Sequence, residues 1–246
     1  MTIRPILFSA PMVRALLEGR KTQTRRIITP NNLRIYTGGL DYPGSFVKPD
    51  QATFEAAFNN ARKFRRIEHT MSWVTDPVTH QIGAVMSQWT GRVAYSVGDR
   101  LWVREAWAPL TALTHNDPGT QALADGVFYK ADNSTVEGEV ARWHPSIHMP
   151  RKASRITLEI ADVRIERLND CSDADAIAEG ILSSPYSESG WLNYWNPNGV
   201  FDRPLHSYAS LWDEINGEGE WDKNPWVAAY TFHVINRNID QIEVAA

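Results

Sequence analysis

The chain has 246 residues, 43% hydrophobic and 22% charged, with a formal net charge of −4 at neutral pH. That length can bury a substantial core without staples, and the one cysteine, Cys171, excludes an internal disulfide and fits a reducing compartment. The acidic balance excludes a globally basic nucleic-acid coat, no apolar run approaches membrane-spanning length, and the N-terminus has no basic segment followed by an apolar one, so a cytoplasmic protein without membrane contact is expected.

In chain order, Ile6-Leu7-Phe8 reads as a strand or buried entry segment. Ser9 is a candidate helix cap, Pro11 suits a first-turn position that needs no donor, and Met12, Val13, Leu16 and Leu17 recur at helical spacing. Gly19 ends this helix, and Lys21, Thr22, Thr24, Arg25 and Arg26 follow as a basic, hydroxyl-rich strand. Residues 29–53 are punctuated by Pro, Asn and Gly and read as a loop, 52–64 as a short helix, and 71–90 as a hairpin with Trp73 and Trp89 near its ends. The composition of 29–94 differs from both flanks, which predicts an insertion into the core fold.

Gly98-Asp99 marks a turn, and Leu101 to Trp107 alternate as one strand, with Leu101, Val103, Glu105 and Trp107 on one face. Glu105 among apolar neighbours must be paired, hydrogen-bonded or protonated; a buried Glu–Arg or Glu–Lys pair competes with a role in a site. Residues 126–130 read as a further strand. Around His144 and His148, two prolines exclude a helix and with it a zinc pair one helical turn apart, so 142–151 reads as a rim loop presenting Trp143, His144, His148 and Arg151. No metal site and no cofactor are expected.

The strongest strand signal is 153–168, where Ile156, Leu158 and Ile160 keep one parity and Val163 and Ile165 the other. That switch predicts a bulge near Ala161-Asp162. Ser172 caps a second helix that Gly180 stops, leaving Glu179 at its last position, where the helix dipole disfavours a carboxylate. Residues 183–206 read as a second insertion or long loop, 208–215 as a short helix and 225–235 as the closing strand.

Three of these pieces carry a likeness: Gly19-Arg20-Lys21-Thr22-Gln23-Thr24-Arg25, the Gly98-Asp99-Arg100-Leu101-Trp102-Val103-Arg104-Glu105 strand, and the strand–helix pair ending in Glu179-Gly180. Together they resemble the ASCH domain family, over residues 3–28, 97–107, 153–182 and 225–236, and the longer layout is similar to phage- and prophage-encoded members. The resemblance implies an α+β, mainly β fold: a single domain over 1–246 built as a PUA-like β-barrel with packed helices and insertions at 29–94 and 183–206. It also implies association with RNA. Some small bacterial members are amidohydrolases that remove the acetyl group from N4-acetylcytidine with a lysine, a threonine and a glutamate, which fall here on Lys21, Thr24 and Glu179. Thr24 would be the nucleophile, Lys21 an activating base once burial lowers its pKa, and Glu179 a proton relay or orienter.

The expected function is therefore binding of RNA or a modified nucleobase in a basic cleft lined by Lys21, Arg25, Arg26 and Arg104. Glu105 is a further candidate, and Trp107 or Trp143 would stack on the base. The alternative is hydrolysis in that cleft, of an N4-acetylcytidine-like nucleoside through Lys21, Thr24 and Glu179, or of RNA. In a regular strand Lys21 and Thr24 would point to opposite faces, so their convergence requires a bend or a Lys21 that precedes the strand.

Overall fold

The chain opens with β1 (Ile3–Leu7), turns through α1 (Ala10–Leu17) and returns as β2 (Gln23–Ile27). After it come β3 (Pro30–Thr37), β4 (Ser72–Thr75), β5 (Ile82–Gly91), β6 (Arg100–Arg104), β7 (Trp107–Pro109), β8 (Val127–Tyr129) and β9 (Thr157–Arg167). Then follow α2 (Asp173–Ala178), β10 (Trp191–Leu192), β11 (Val200–Phe201), α3 (Pro204–Asn216) and β12 (Trp226–Ile235). This computed structural model describes residues 2–28, 94–110, 126–132, 140, 142–196 and 198–242, and the backbone of the strands at 30–37, 72–75 and 82–91.

The architecture is mixed α+β and mostly sheet. Five strands form the main sheet in the order β1-β6-β9-β12-β2, with β1 and β6 parallel and the other neighbours antiparallel. Ile156, Leu158, Ile160, Val163, Val227, Tyr230 and Phe232 from its centre join Val13 and Leu16 of α1 and Leu211 and Trp212 of α3 in one buried cluster. The predicted phase switch is present: Asp162 pairs with Thr231 but Ile160 with Phe232, so Ala161 is the unpaired bulge residue. Its effect is to keep Ile160 and Val163, an odd number of residues apart, both buried.

The expected closed barrel is corrected. Among the described residues the sheet is open, with β1 and β2 as its edges. Closure would require the two edges to exchange backbone hydrogen bonds, but the chain leaves β1 for α1 and a side chain makes the link between them. Arg26 reaches across, with Nη2 donating to the Leu7 carbonyl at 3.0 Å and the guanidinium 5.5 Å from the centre of the Phe8 ring.

Other boundaries also differ. The segment 30–37, expected as loop, is a strand; it pairs with β5 through a register shift between Pro30 and Leu33, so the Pro-Asn-Asn signal marks an irregular start and not a turn. β4 and β5 form the expected antiparallel hairpin, and the helix expected at 52–64 lies outside the described residues. The strand expected over 101–107 breaks after Arg104 and resumes as β7, which pairs with β8. α3 begins at Pro204, before the expected start.

Two glycines set the local geometry that the site depends on. Gly19 (φ 72°) stops α1, with nothing within 4 Å of where a Cβ would stand. Gly180 (φ 87°) ends α2 against α1, where a Cβ would sit 2.9 Å from the Cβ atoms of both Ala15 and Lys21. The Thr22 amide donates to the Ala178 carbonyl at 2.8 Å and the Lys21 amide to the Ala15 carbonyl at 2.9 Å, locking the two helix ends together. Gly19→Ala should cost about 1–2 kcal/mol, the left-handed penalty alone. Gly180→Ala should add a packing clash of about 1–3 kcal/mol, a difference that denaturant titration of the two variants would read.

Candidate functional site

Lys21 sits in the short link between α1 and β2, not within the strand. That position lets its side chain and that of Thr24 line the same cavity despite their spacing. The cavity has a volume of about 420 Å³, and its lining includes Leu7 from one edge strand of the main sheet and Thr24, Arg25, Arg26 and Ile27 from the other. Phe8, Ser9, Met12, Lys21, Thr24, Arg25, Arg26 and Glu179 form one side of it, and Tyr208, Leu211, Trp212 and Ile215 of α3 the other.

The polar floor is built from two distant parts of the chain. The Lys21 ammonium donates to Glu179 Oε2 at 2.8 Å and to the Glu179 backbone carbonyl at 2.8 Å, with both side chains buried. Glu179 stands at the C-cap of α2, where carbonyls lack helical partners, and the lysine serves one of those carbonyls together with the carboxylate. This accounts for a glutamate in a position that the helix dipole disfavours: the neighbouring cations outweigh the dipole. The Phe8 ring lies 5.6 Å from the ammonium. Thr24 is 4% exposed, and among the described residues no hydrogen bond joins its hydroxyl to Lys21.

Burial is the strongest influence on Lys21 and lowers its pKa below the ordinary 10.5, against the opposing pull of Glu179. The Tyr208 phenol is pushed well above its ordinary range by burial and then by the negative charge of Glu179, so it stays protonated as a potential donor. Burial also raises Cys171, to about 12, which leaves its thiol unreactive at neutral pH.

The remaining sequence-predicted residues divide. Arg25 and Arg26 line the cavity, whereas Arg104, Glu105, Trp107 and Trp143 do not. Glu105 takes the structural role weighed for it: Arg155 grips it through Nε at 3.0 Å and Nη2 at 3.1 Å, and also binds Asp132 while lying 3.8 Å from the centre of the Tyr129 ring. The Arg104 guanidinium stacks over Trp102 at 4.6 Å. Trp107 stacks on His144 at 5.2 Å and packs on Val127, Tyr129, Met149 and Ala153, and Trp143 packs on a separate small cluster with Ala108, Phe128 and Val140. The 142–151 rim therefore lends only Ser146 to the cavity. Conversely, the aromatic wall of Phe8, Tyr208 and Trp212 was not anticipated. The spacing of Tyr208, Leu211, Trp212 and Ile215 marks an apolar helix face, but nothing in that spacing says that the face bounds a cavity.

Among the described residues no cluster of three or more His, Cys, Asp or Glu side chains is placed to hold a metal ion, and no helix is long and apolar enough to cross a membrane. Comparison of the chain with models of protein families, with curated proteins and with solved structures finds no match.

Two stability predictions follow from the buried pair. Glu179→Gln leaves the Lys21 ammonium buried without a carboxylate and should cost about 3–5 kcal/mol in denaturant unfolding. The lowered pKa of Lys21 means that the unfolded chain holds this proton more tightly than the folded one. Its penalty is therefore full below the folded value and fades as pH climbs towards 10.5. The unfolding free energy of the wild type should accordingly gain an upward slope with pH over that interval, relative to Lys21→Met.

Proposed function

We propose that this chain is an ASCH-type, nucleic-acid-associated protein whose cavity takes the base of RNA or of a modified nucleoside. The observation that carries the reading is the convergence of Lys21, Thr24 and Glu179. These are the residues that the family likeness selects from two distant segments, and they line one cavity. The chemistry of the lining suits a nucleobase. Phe8, Tyr208 and Trp212 offer apolar faces to a flat heterocycle, while Lys21, Thr24 and Glu179 offer donors and acceptors to its edge. Arg26, an exposed residue of the cavity lining, is a cation available to a phosphate of a longer ligand.

A second reading, hydrolysis of an N4-acylated cytosine, is favoured by the buried Lys21 beside Thr24. In that reaction neutral Lys21 takes the Thr24 hydroxyl proton as the oxygen attacks the amide carbonyl carbon. The tetrahedral adduct collapses with cleavage of the C–N bond, and the Lys21 ammonium returns the proton to the departing nitrogen. Water then attacks the acyl-threonine ester, giving the free acid and restoring Thr24. Glu179 holds the lysine in place throughout, and its negative charge stabilises the ammonium that forms.

The test pairs calorimetric binding of cytidine, N4-acetylcytidine and single-stranded RNA with an assay for acetate release, in the wild type, Lys21→Ala and Thr24→Val. Binding without acetate release, weakened in Lys21→Ala, is the result expected of the binding reading. Acetate release that falls by about 10²–10⁴ in Lys21→Ala and is lost in Thr24→Val would establish the hydrolytic one. Neither binding nor release by the wild type would overturn both.

A further inference from the structure

Arg25 lines the cavity, and in sequence it reads as a partner for a phosphate or a carboxylate; its guanidinium is committed to carboxylates of the protein itself. Its side chain has no exposed surface. Nε donates to Glu166 Oε1 at 2.9 Å, and Nη2 lies 2.7 Å from the same oxygen and 3.5 Å from Asp175 Oδ1. Nη1 donates to Gln23 Oε1 at 3.2 Å and to Glu179 Oε1 at 3.1 Å. Glu179 thus divides its carboxylate, with Oε1 on Arg25 and Oε2 on Lys21. Behind it, Arg164 Nη2 holds Asp175 Oδ1 at 2.6 Å. Lys21, Arg25 and Arg164 together face Glu166, Asp175 and Glu179, so the three cations are balanced by three carboxylates before any ligand arrives.

We propose that Arg25 is a positioning residue: it holds one oxygen of Glu179 so that the other stays on Lys21, and it gives no charge to the ligand. This rests on the reading of the cavity as a nucleobase site with Lys21 at its centre. A carboxylate held by a single partner can turn about its last bond and exchange its oxygens, whereas a second cation fixed on the other oxygen holds the orientation in which Lys21 is bound. The groups facing the pair from each packed element are Arg25 and Arg26 on β2, Arg164 and Glu166 on β9, Cys171 and Asp175 at the start of α2, and Tyr208 on α3. Among them only Arg25 touches Glu179 with a full positive charge besides Lys21.

The sign of the effect is set by electrostatics. Removing a positive charge near Lys21 raises its pKa, and removing a negative charge lowers it. The experiment is a pH titration of the Lys21 13Cε resonance, assigned by its loss in Lys21→Ala. The inflection should rise by about one pH unit or more in Arg25→Gln, stay near the wild type in Arg25→Lys, and fall in Glu166→Gln. If Arg25→Gln does not fold, Arg25→Lys and the downward shift in Glu166→Gln decide the matter. In parallel, the affinity ratio of cytidine 5′-monophosphate to cytidine should be unchanged in Arg25→Lys and Arg25→Gln. Unmoved inflections across these variants, or a monophosphate preference that collapses with Arg25, would overturn the proposal. Because the resonance titrates without turnover or ligand, a wild type that releases no acetate and binds no nucleoside defeats the nucleobase reading while the positioning role is still decided.

Discussion

The ion pair between Lys21 and Glu179 is the constraint on which the rest of the site depends. It joins the link after α1 to the end of α2, two segments brought together only by folding, and it is buried on both sides. A buried pair of this kind contributes little net stability compared with an apolar replacement, since desolvation consumes most of the attraction. Its consequence is geometric. Once the lysine is held by both the carboxylate and the carbonyl of Glu179, the ends of α1 and α2 have one arrangement relative to each other, and Gly180 is the residue that lets them approach that closely.

The open edge of the main sheet leaves room for the cavity. A strand pair between β1 and β2 would occupy the gap where the cavity now lies. Instead α1 departs from the end of β1, Phe8 and Arg26 meet across the opening, and Thr24 at the start of β2 faces inward. The sheet supplies one wall, α3 the other, and the paired charges form the floor. A largely apolar lining around a floor of paired charges lowers the local dielectric and so strengthens each hydrogen-bonding group that a ligand meets there.

The strands and helices nearest the core were legible from local signals. The parity switch at Ala161 located the bulge, Ser172 and Gly180 bounded α2, and the spacing of Met12, Val13 and Leu16 identified the buried side of α1. Lys21, Thr24 and Glu179 were singled out by likeness, and the condition for their meeting, a lysine ahead of the strand, followed from strand geometry. What was not legible were the tertiary choices. Arg25 and Arg104 look alike in sequence, yet one is enclosed by carboxylates and the other lies on Trp102. Trp107 and Trp143 had the right chemistry for stacking on a base, but their partners are His144 and small clusters of their own. The strand at 30–37 was hidden because Pro and Asn at its irregular start carry the same signal as a loop.

The central claim is that ligand recognition occurs over the Lys21–Glu179 floor and not along the tryptophan-bearing rim. A crystal structure of the protein soaked with N4-acetylcytidine tests it most directly. The account predicts the base between Phe8 and α3, with its polar edge within hydrogen-bond reach of Lys21 or Thr24. A nucleoside bound instead against Trp107, Trp143 or Arg104, with the cavity empty, would contradict it.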